Sequence, residues 1–272
     1  RRAIARRNHS SFRRNLWQAL KMKEMGIFDR KIRLTWLDAV AEAVLHGDNR
    51  RQIGDMISEM LAKELKGTAK GGAVDKTRRV IMRMWFYHLD DAPTFADCRQ
   101  MLLAMPLDFR RVIYFGLAVS SFSFFRGVAE VVGRLARLQS EFTTIQIQRR
   151  LQEAYGDREL TRRAGQHVFR TFVEWGLLAE TGNKGEYRLP EPLAVNDTRL
   201  ALWLFEALLH SCPERNGIFL HDFQGHPGLF PFALPNLMPS EIALNQNLET
   251  FTQGVTKELV MLRQIKSGQQ AF

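Results

Sequence analysis

The chain is expected to be mainly α: a helical bundle, then a winged helix-turn-helix, then a C-terminal extension. Three observations point that way. Apolar residues recur every three or four positions through the first two-thirds, with short breaks between runs. Residues 141–189 read as helix, turn, helix and hairpin, the order of a winged helix. After Cys212-Pro213 the periodicity gives way to Phe, Leu, Pro and Gly. The chain thus divides into an N-terminal helical bundle with a basic start (1–140), a winged helix-turn-helix (141–190) and a docking extension (191–272).

Each element has a local reason. Ser10 and Ser11 offer N-caps for a helix through Lys21, with Phe12, Leu16, Ala19 and Leu20 on one face. Leu34, Leu37, Ala41, Val44 and Leu45 form the next stripe, stopped by Gly47. Ile53, Ile57, Met60, Leu61 and Leu65 follow, ended by Gly67, and the Gly/Lys-rich stretch 67–73 links to a helix over 77–87. Thr94 supplies a cap for 95–105, and Pro106 separates it from 107–119. The helix 122–138 turns Phe125, Val128, Val132, Leu135 and Leu138 inward. The uncharged run Val112–Phe125 falls short of the roughly 20 residues a bilayer needs, so it predicts a buried core helix and no membrane association.

In the central segment, Phe142-Thr143-Thr144 reads as a helix entry, with Ile147, Leu151 and Ala154 inward. Tyr155-Gly156-Asp157 makes a turn, and a second helix runs over 158–175. Residues 177–180 and 186–189 read as strands around the turn Thr181–Gly185. On the second helix Ala164, Val168, Phe172 and Trp175 fall within an arc of about 80°, with Arg162, Arg163, Gln166 and Arg170 opposite. His167 sits at the flank, as a boundary histidine. Guanidinium forks grip phosphates or guanine edges, and Gln pairs with adenine, so this face fits duplex DNA. Arg158 at the helix start and Lys184 and Arg188 on the hairpin extend it.

Charge agrees. The chain holds 39 Lys+Arg against 29 Asp+Glu, a net +10. The excess concentrates in residues 1–31, where Arg6, Arg7, Arg13 and Arg14 are candidate phosphate contacts, and in 126–170. With 45% hydrophobic residues most of the chain escapes disorder. Two cysteines, Cys98 and Cys212, exclude a disulfide framework and fit a reducing cytoplasm.

In the last third, Asn196-Asp197-Thr198 caps a helix 199–210 with Leu200, Leu204, Ala207 and Leu208 on one face. Pro231 and Pro235 forbid a long helix in 229–235, so 217–239 reads as an extended apolar segment, buried as core or docked on a partner. Residues 251–262 fit a strand or a short helix; periodicity does not decide. Catalytic motifs are missing: no P-loop, nucleophile elbow or His-Glu-x-x-His occurs. His210, Cys212, His221, Asp222 and His226 are metal-ligand types, but their irregular spacing argues against a site. The expectation is a non-enzyme without metal or cofactor.

The run from Thr77-Arg78-Arg79-Val80 through Phe109-Arg110-Arg111, the helix 122–138, Thr161-Arg162-Arg163, Gln166-His167-Val168-Phe169-Arg170 and Trp175-Gly176-Leu177-Leu178 resembles the small helical A protein of BREX phage-defence systems (BrxA). The resemblance spans roughly residues 10–190, in spacing and character and without a diagnostic motif. It implies a NusB-like helical bundle and a DNA-binding accessory factor without catalytic residues, working beside other subunits of a defence complex. Arg162, Arg163, Gln166 and Arg170 would be its DNA contacts. The C-terminal part beyond residue 190 has no counterpart in that pattern.

Overall fold

A computed structural model of the chain describes residues 28–86, 96–212, 217–253 and 257–263. The fold is mainly helical with small sheets. Helices α1 (Leu34–His46), α2 (Arg50–Glu64), α3 (Ala73–Phe86) and α4 (Ala96–Ala104) lead to α5 (Arg110–Ser121) and α6 (Ser123–Leu138). Gly47 ends α1 in the left-handed region at φ 95°, and Asn49 closes a capping box with Gln52 at the start of α2. The expected helix 10–21, the cap Thr94 and the basic start of the chain lie outside the described residues.

The run Val112–Phe125 is not one helix. Phe122 is extended at φ −137°, and the helical run 107–121 and α6 are bent by 117° across it. The reason is packing: the Phe122 ring is buried against Phe28, with centroids 5.3 Å apart and the Arg83 guanidinium over its face. Arg83 Nε also donates to the Ser121 carbonyl at 3.0 Å, which satisfies an acceptor freed by the break. Among the described residues no single helix is long and apolar enough to cross a membrane.

Next come β1 (Glu141–Thr143), α7 (Thr144–Tyr155), α8 (Glu159–Glu174), β2 (Ala179–Glu180) and β3 (Glu186–Arg188). The three strands form one antiparallel sheet in the order β1-β3-β2, with Phe142 opposite Tyr187. The remaining elements are β4 (Leu193–Ala194), α9 (Thr198–His210), β5 (Ile218–Phe219), α10 (Leu220–Gln224), β6 (Phe232–Ala233), α11 (Pro239–Ala243) and the hairpin β7 (Leu248–Gln253) with β8 (Lys257–Leu262). Residues 251–262 are therefore strand. Asp197 accepts hydrogen bonds from the Arg199 and Leu200 amides and caps α9.

Among the described residues, one cluster of buried apolar side chains runs from Phe28 to Val260. Helix α9 is its axle. Every residue from Leu200 to Leu209 is buried, not the one face that periodicity suggested. The Phe/Pro segment is core as well: Phe230 and Phe232 pack edge-on to Phe115, and Phe230 also meets Phe172. Two residues expected inward are outside. Leu138, at the end of α6, is 76% exposed, and Ala154 on α7 is exposed too; both line an open groove between α6 and α7.

Close approach of α5 and α9 depends on Gly116, where an added Cβ would stand 2.1 Å from Cζ3 of the Trp203 ring. Replacing a helical Gly by Ala normally gains up to about 1 kcal/mol in propensity. Here overpacking, typically about 1–3 kcal/mol, opposes it. We expect Gly116→Ala to lower the urea midpoint despite the better helix former; a raised midpoint would contradict this packing.

Both cysteines are buried, and burial pushes the Cys98 thiol up to about 12. The thiolate is the reactive form. Neither thiol should react with an aromatic disulfide reagent in the native protein at neutral pH, and both should react after denaturation.

Candidate nucleic-acid interface

Helix α8 is anchored by one face. Ala164, Val168, Phe172 and Trp175 are fully buried. Phe172 packs against Phe125 at 5.1 Å and Phe230 at 5.3 Å, and Gly165 lets Leu151 of α7 lie close to the α8 backbone. The inward stripe expected from periodicity is thus the buried one, and it ties the helix rigidly to the core.

A second support comes from the segment Phe28–Arg33, which runs along the C-terminal half of α8. The Ile32 amide donates to Thr171 Oγ1 at 3.1 Å, and Trp175 Nε1 donates to the Ile32 carbonyl at 3.0 Å. Lys31 pairs with Glu174. Phe28 and Ile32 are fully buried. His167 lies on this flank, half-buried as expected. Burial first, then Arg30, holds its imidazole below the usual range, with Asp29 opposing and Arg170 adding a little. Its Nδ1 is buried without a hydrogen bond among the described residues.

The outward face carries the expected residues, but they are not equivalent. Arg163 and Arg170 are exposed, Arg158, Arg162 and Gln166 half-buried. Arg170 makes no ion pair and Gln166 no hydrogen bond among the described residues. Arg162 and Arg163 both grip Glu159 in the first turn of α8. Arg162 donates through Nε at 2.8 Å and Nη2 at 2.6 Å, and Arg163 through Nε at 2.5 Å. These contacts hold the Glu159 carboxyl down to about 2. The row of guanidiniums is therefore partly neutralised by a carboxylate of its own helix, where the sequence pattern suggested an open row. All three side chains are at the surface, where solvent screening leaves such pairs little to contribute to stability.

The hairpin stands at the start of α7. Glu186 organises its turn, accepting from Thr181 Oγ1 at 3.0 Å and Asn183 Nδ2 at 2.8 Å. Gly185 adopts φ 79°, and its carbonyl accepts from the Thr144 amide at 3.1 Å. This fixes the turn against the entry of α7 and leaves Lys184 exposed at the tip. Arg188 on the central strand is also exposed. Strand β1, which pairs with β3, was not legible beforehand: Glu141-Phe142-Thr143 is too short to show alternation, and the stretch 142–144 reads as a helix entry, in which Thr143 caps α7.

Arg6, Arg7, Arg13 and Arg14 lie outside the described residues. The metal-ligand types of the last third sit apart. His210 faces the buried Glu206 at 3.6 Å, His221 meets Asp222 at the surface, and His226 Nδ1 accepts from the Gly228 amide. Among the described residues no three His, Cys, Asp or Glu side chains converge as a metal site. Glu159 and the segment 28–33 were not anticipated. Only the spacing of Glu159 to Arg162 and Arg163, three and four residues, signalled the first. No family model, curated protein or solved structure matches the chain.

Proposed function

We propose that residues 141–190 are a winged helix-turn-helix that binds duplex DNA, with α8 as the recognition helix and the hairpin as the wing. The observation that carries this reading is the two-sidedness of α8: a stripe of fully buried apolar residues on one side, and Arg162, Arg163, Gln166 and Arg170 on the other. A rigidly held helix with outward guanidiniums meets the geometric demand of groove binding. The strand order β1-β3-β2 and the exposed Lys184 and Arg188 support a wing beside it. In this reading the chain is a non-catalytic, cytoplasmic accessory factor. Its resemblance to the A protein of BREX systems suggests a role in bacterial phage defence beside other subunits, on a NusB-like bundle. A scaffold role through the Phe/Pro segment is the second reading, and it has less support, because Phe223, Leu229, Phe232, Leu234 and Leu237 are buried in the core of the chain itself.

The test is a fluorescence-anisotropy titration of a duplex of about 20 base pairs at low and moderate salt. If roughly four phosphates are neutralised, affinity falls about 100-fold between about 50 and 200 mM salt. Absence of binding at the lower salt would end the proposal.

A further inference from the structure

We propose that Glu159 is a built-in competitor for the phosphate that Arg162 and Arg163 are shaped to hold, so that this one carboxylate attenuates duplex binding; this rests on the nucleic-acid reading above. The geometry is that of an occupied anion site. Arg162 presents its side-on fork, Nε and Nη2, to the two Glu159 oxygens at 2.8 and 2.6 Å, and Arg163 adds a third donor at 2.5 Å to the same carboxylate. Guanidinium forks hold carboxylate and phosphate oxygens in the same planar, bidentate manner. The carboxylate oxygens therefore stand where two phosphate oxygens would.

Two features make Glu159 a competitor and not a permanent lock. Its side chain is 52% exposed, and those of Arg162 and Arg163 are 40% and 69% exposed, so a phosphate reaches the fork from solvent. An exposed pair of this kind is weak, and a polyanion with many phosphates displaces it. Arg170, Lys184 and Arg188 make no such pair among the described residues, so the attenuation falls on the first two turns of α8 alone. The strongly acidic carboxyl of Glu159 stays ionised throughout the range in which the protein is handled. Acidification does not release the fork; substitution does.

The experiment compares duplex binding by the whole chain, as wild type, Glu159→Gln, Glu159→Gln/Arg162→Gln and Asp55→Asn, at several salt concentrations. Asp55 is an exposed carboxylate on α2, 3.9 Å from Arg51, and makes the same charge change away from α8. Glu159→Gln should bind about three- to tenfold tighter at about 0.15 M salt, with a slope steeper by roughly 1, as for one more neutralised phosphate. Asp55→Asn should stay within about twofold of wild type, and the added Arg162→Gln should abolish the gain. Equal or weaker binding by Glu159→Gln, an equal gain in Asp55→Asn, or a gain that survives loss of Arg162 would each overturn the competition while leaving DNA binding intact. Failure of wild type and Glu159→Gln alike to bind at low salt would overturn the nucleic-acid reading itself.

Discussion

The double charge reversal Arg162→Glu/Arg170→Glu is expected to weaken duplex binding by about 100-fold or more while leaving the fold intact. Each substitution removes a charge-assisted contact and adds a repulsive one. Two such losses amount to about 3 kcal/mol or more, and each 1.4 kcal/mol is tenfold in affinity. The fold should survive because neither side chain belongs to the core. Arg170 is exposed, and Arg162 makes only a surface pair with Glu159. The urea midpoint should therefore stay close to that of the wild type, as for surface substitutions generally. Full binding by the double variant would remove α8 from the interface.

The largest expected effect on stability is at Trp175. The side chain is fully buried, tilted against Phe125 at 6.0 Å, and its Nε1 donates to the Ile32 carbonyl. Truncating a buried Trp to Ala costs about 3–5 kcal/mol through lost transfer energy and the cavity left behind. The orphaned Ile32 carbonyl adds to this, so the upper end of that range is expected. Trp175→Phe keeps most of the volume but still loses the hydrogen bond, and should fall between wild type and Trp175→Ala. Denaturant unfolding followed by circular dichroism measures both. A loss below about 1 kcal/mol in Trp175→Ala would mean that segment 28–33 and the end of α8 are not held together as described.

Much of this arrangement was legible in the sequence, and what was not has physical reasons. The buried stripe of α8 showed because four apolar residues at helical spacing face otherwise polar surroundings. The cap of α9 at Asp197 and the stop of α1 at Gly47 showed because each depends on its own few residues. The break at Phe122 did not show, because it is set by contacts with Phe28 and Arg83, both distant in sequence. Segment 28–33 has no periodicity. Besides the buried Phe28 and Ile32 side chains, it is held by backbone groups of Ile32, which leave no trace in side-chain patterning. The all-round burial of α9 was written in the uninterrupted run Leu200–Phe205, yet a one-sided stripe also fits those letters. In the candidate site, arginine positions followed from periodicity. Their different exposure, and the capture of two of them by Glu159, depend on rotamers that spacing does not specify.

If the outward arginines of α8 meet a duplex, bound DNA shields them from reagents. The most direct measurement is an arginine-modification footprint, with phenylglyoxal applied to the protein with and without saturating duplex and read by peptide mass spectrometry. Arg162, Arg163 and Arg170 should become protected together with Arg188 on the hairpin, while exposed Arg51 and Arg79 on α2 and α3 react equally in both states. Protection confined to arginines away from α8, with Arg162, Arg163 and Arg170 unchanged, would contradict a contact through α8.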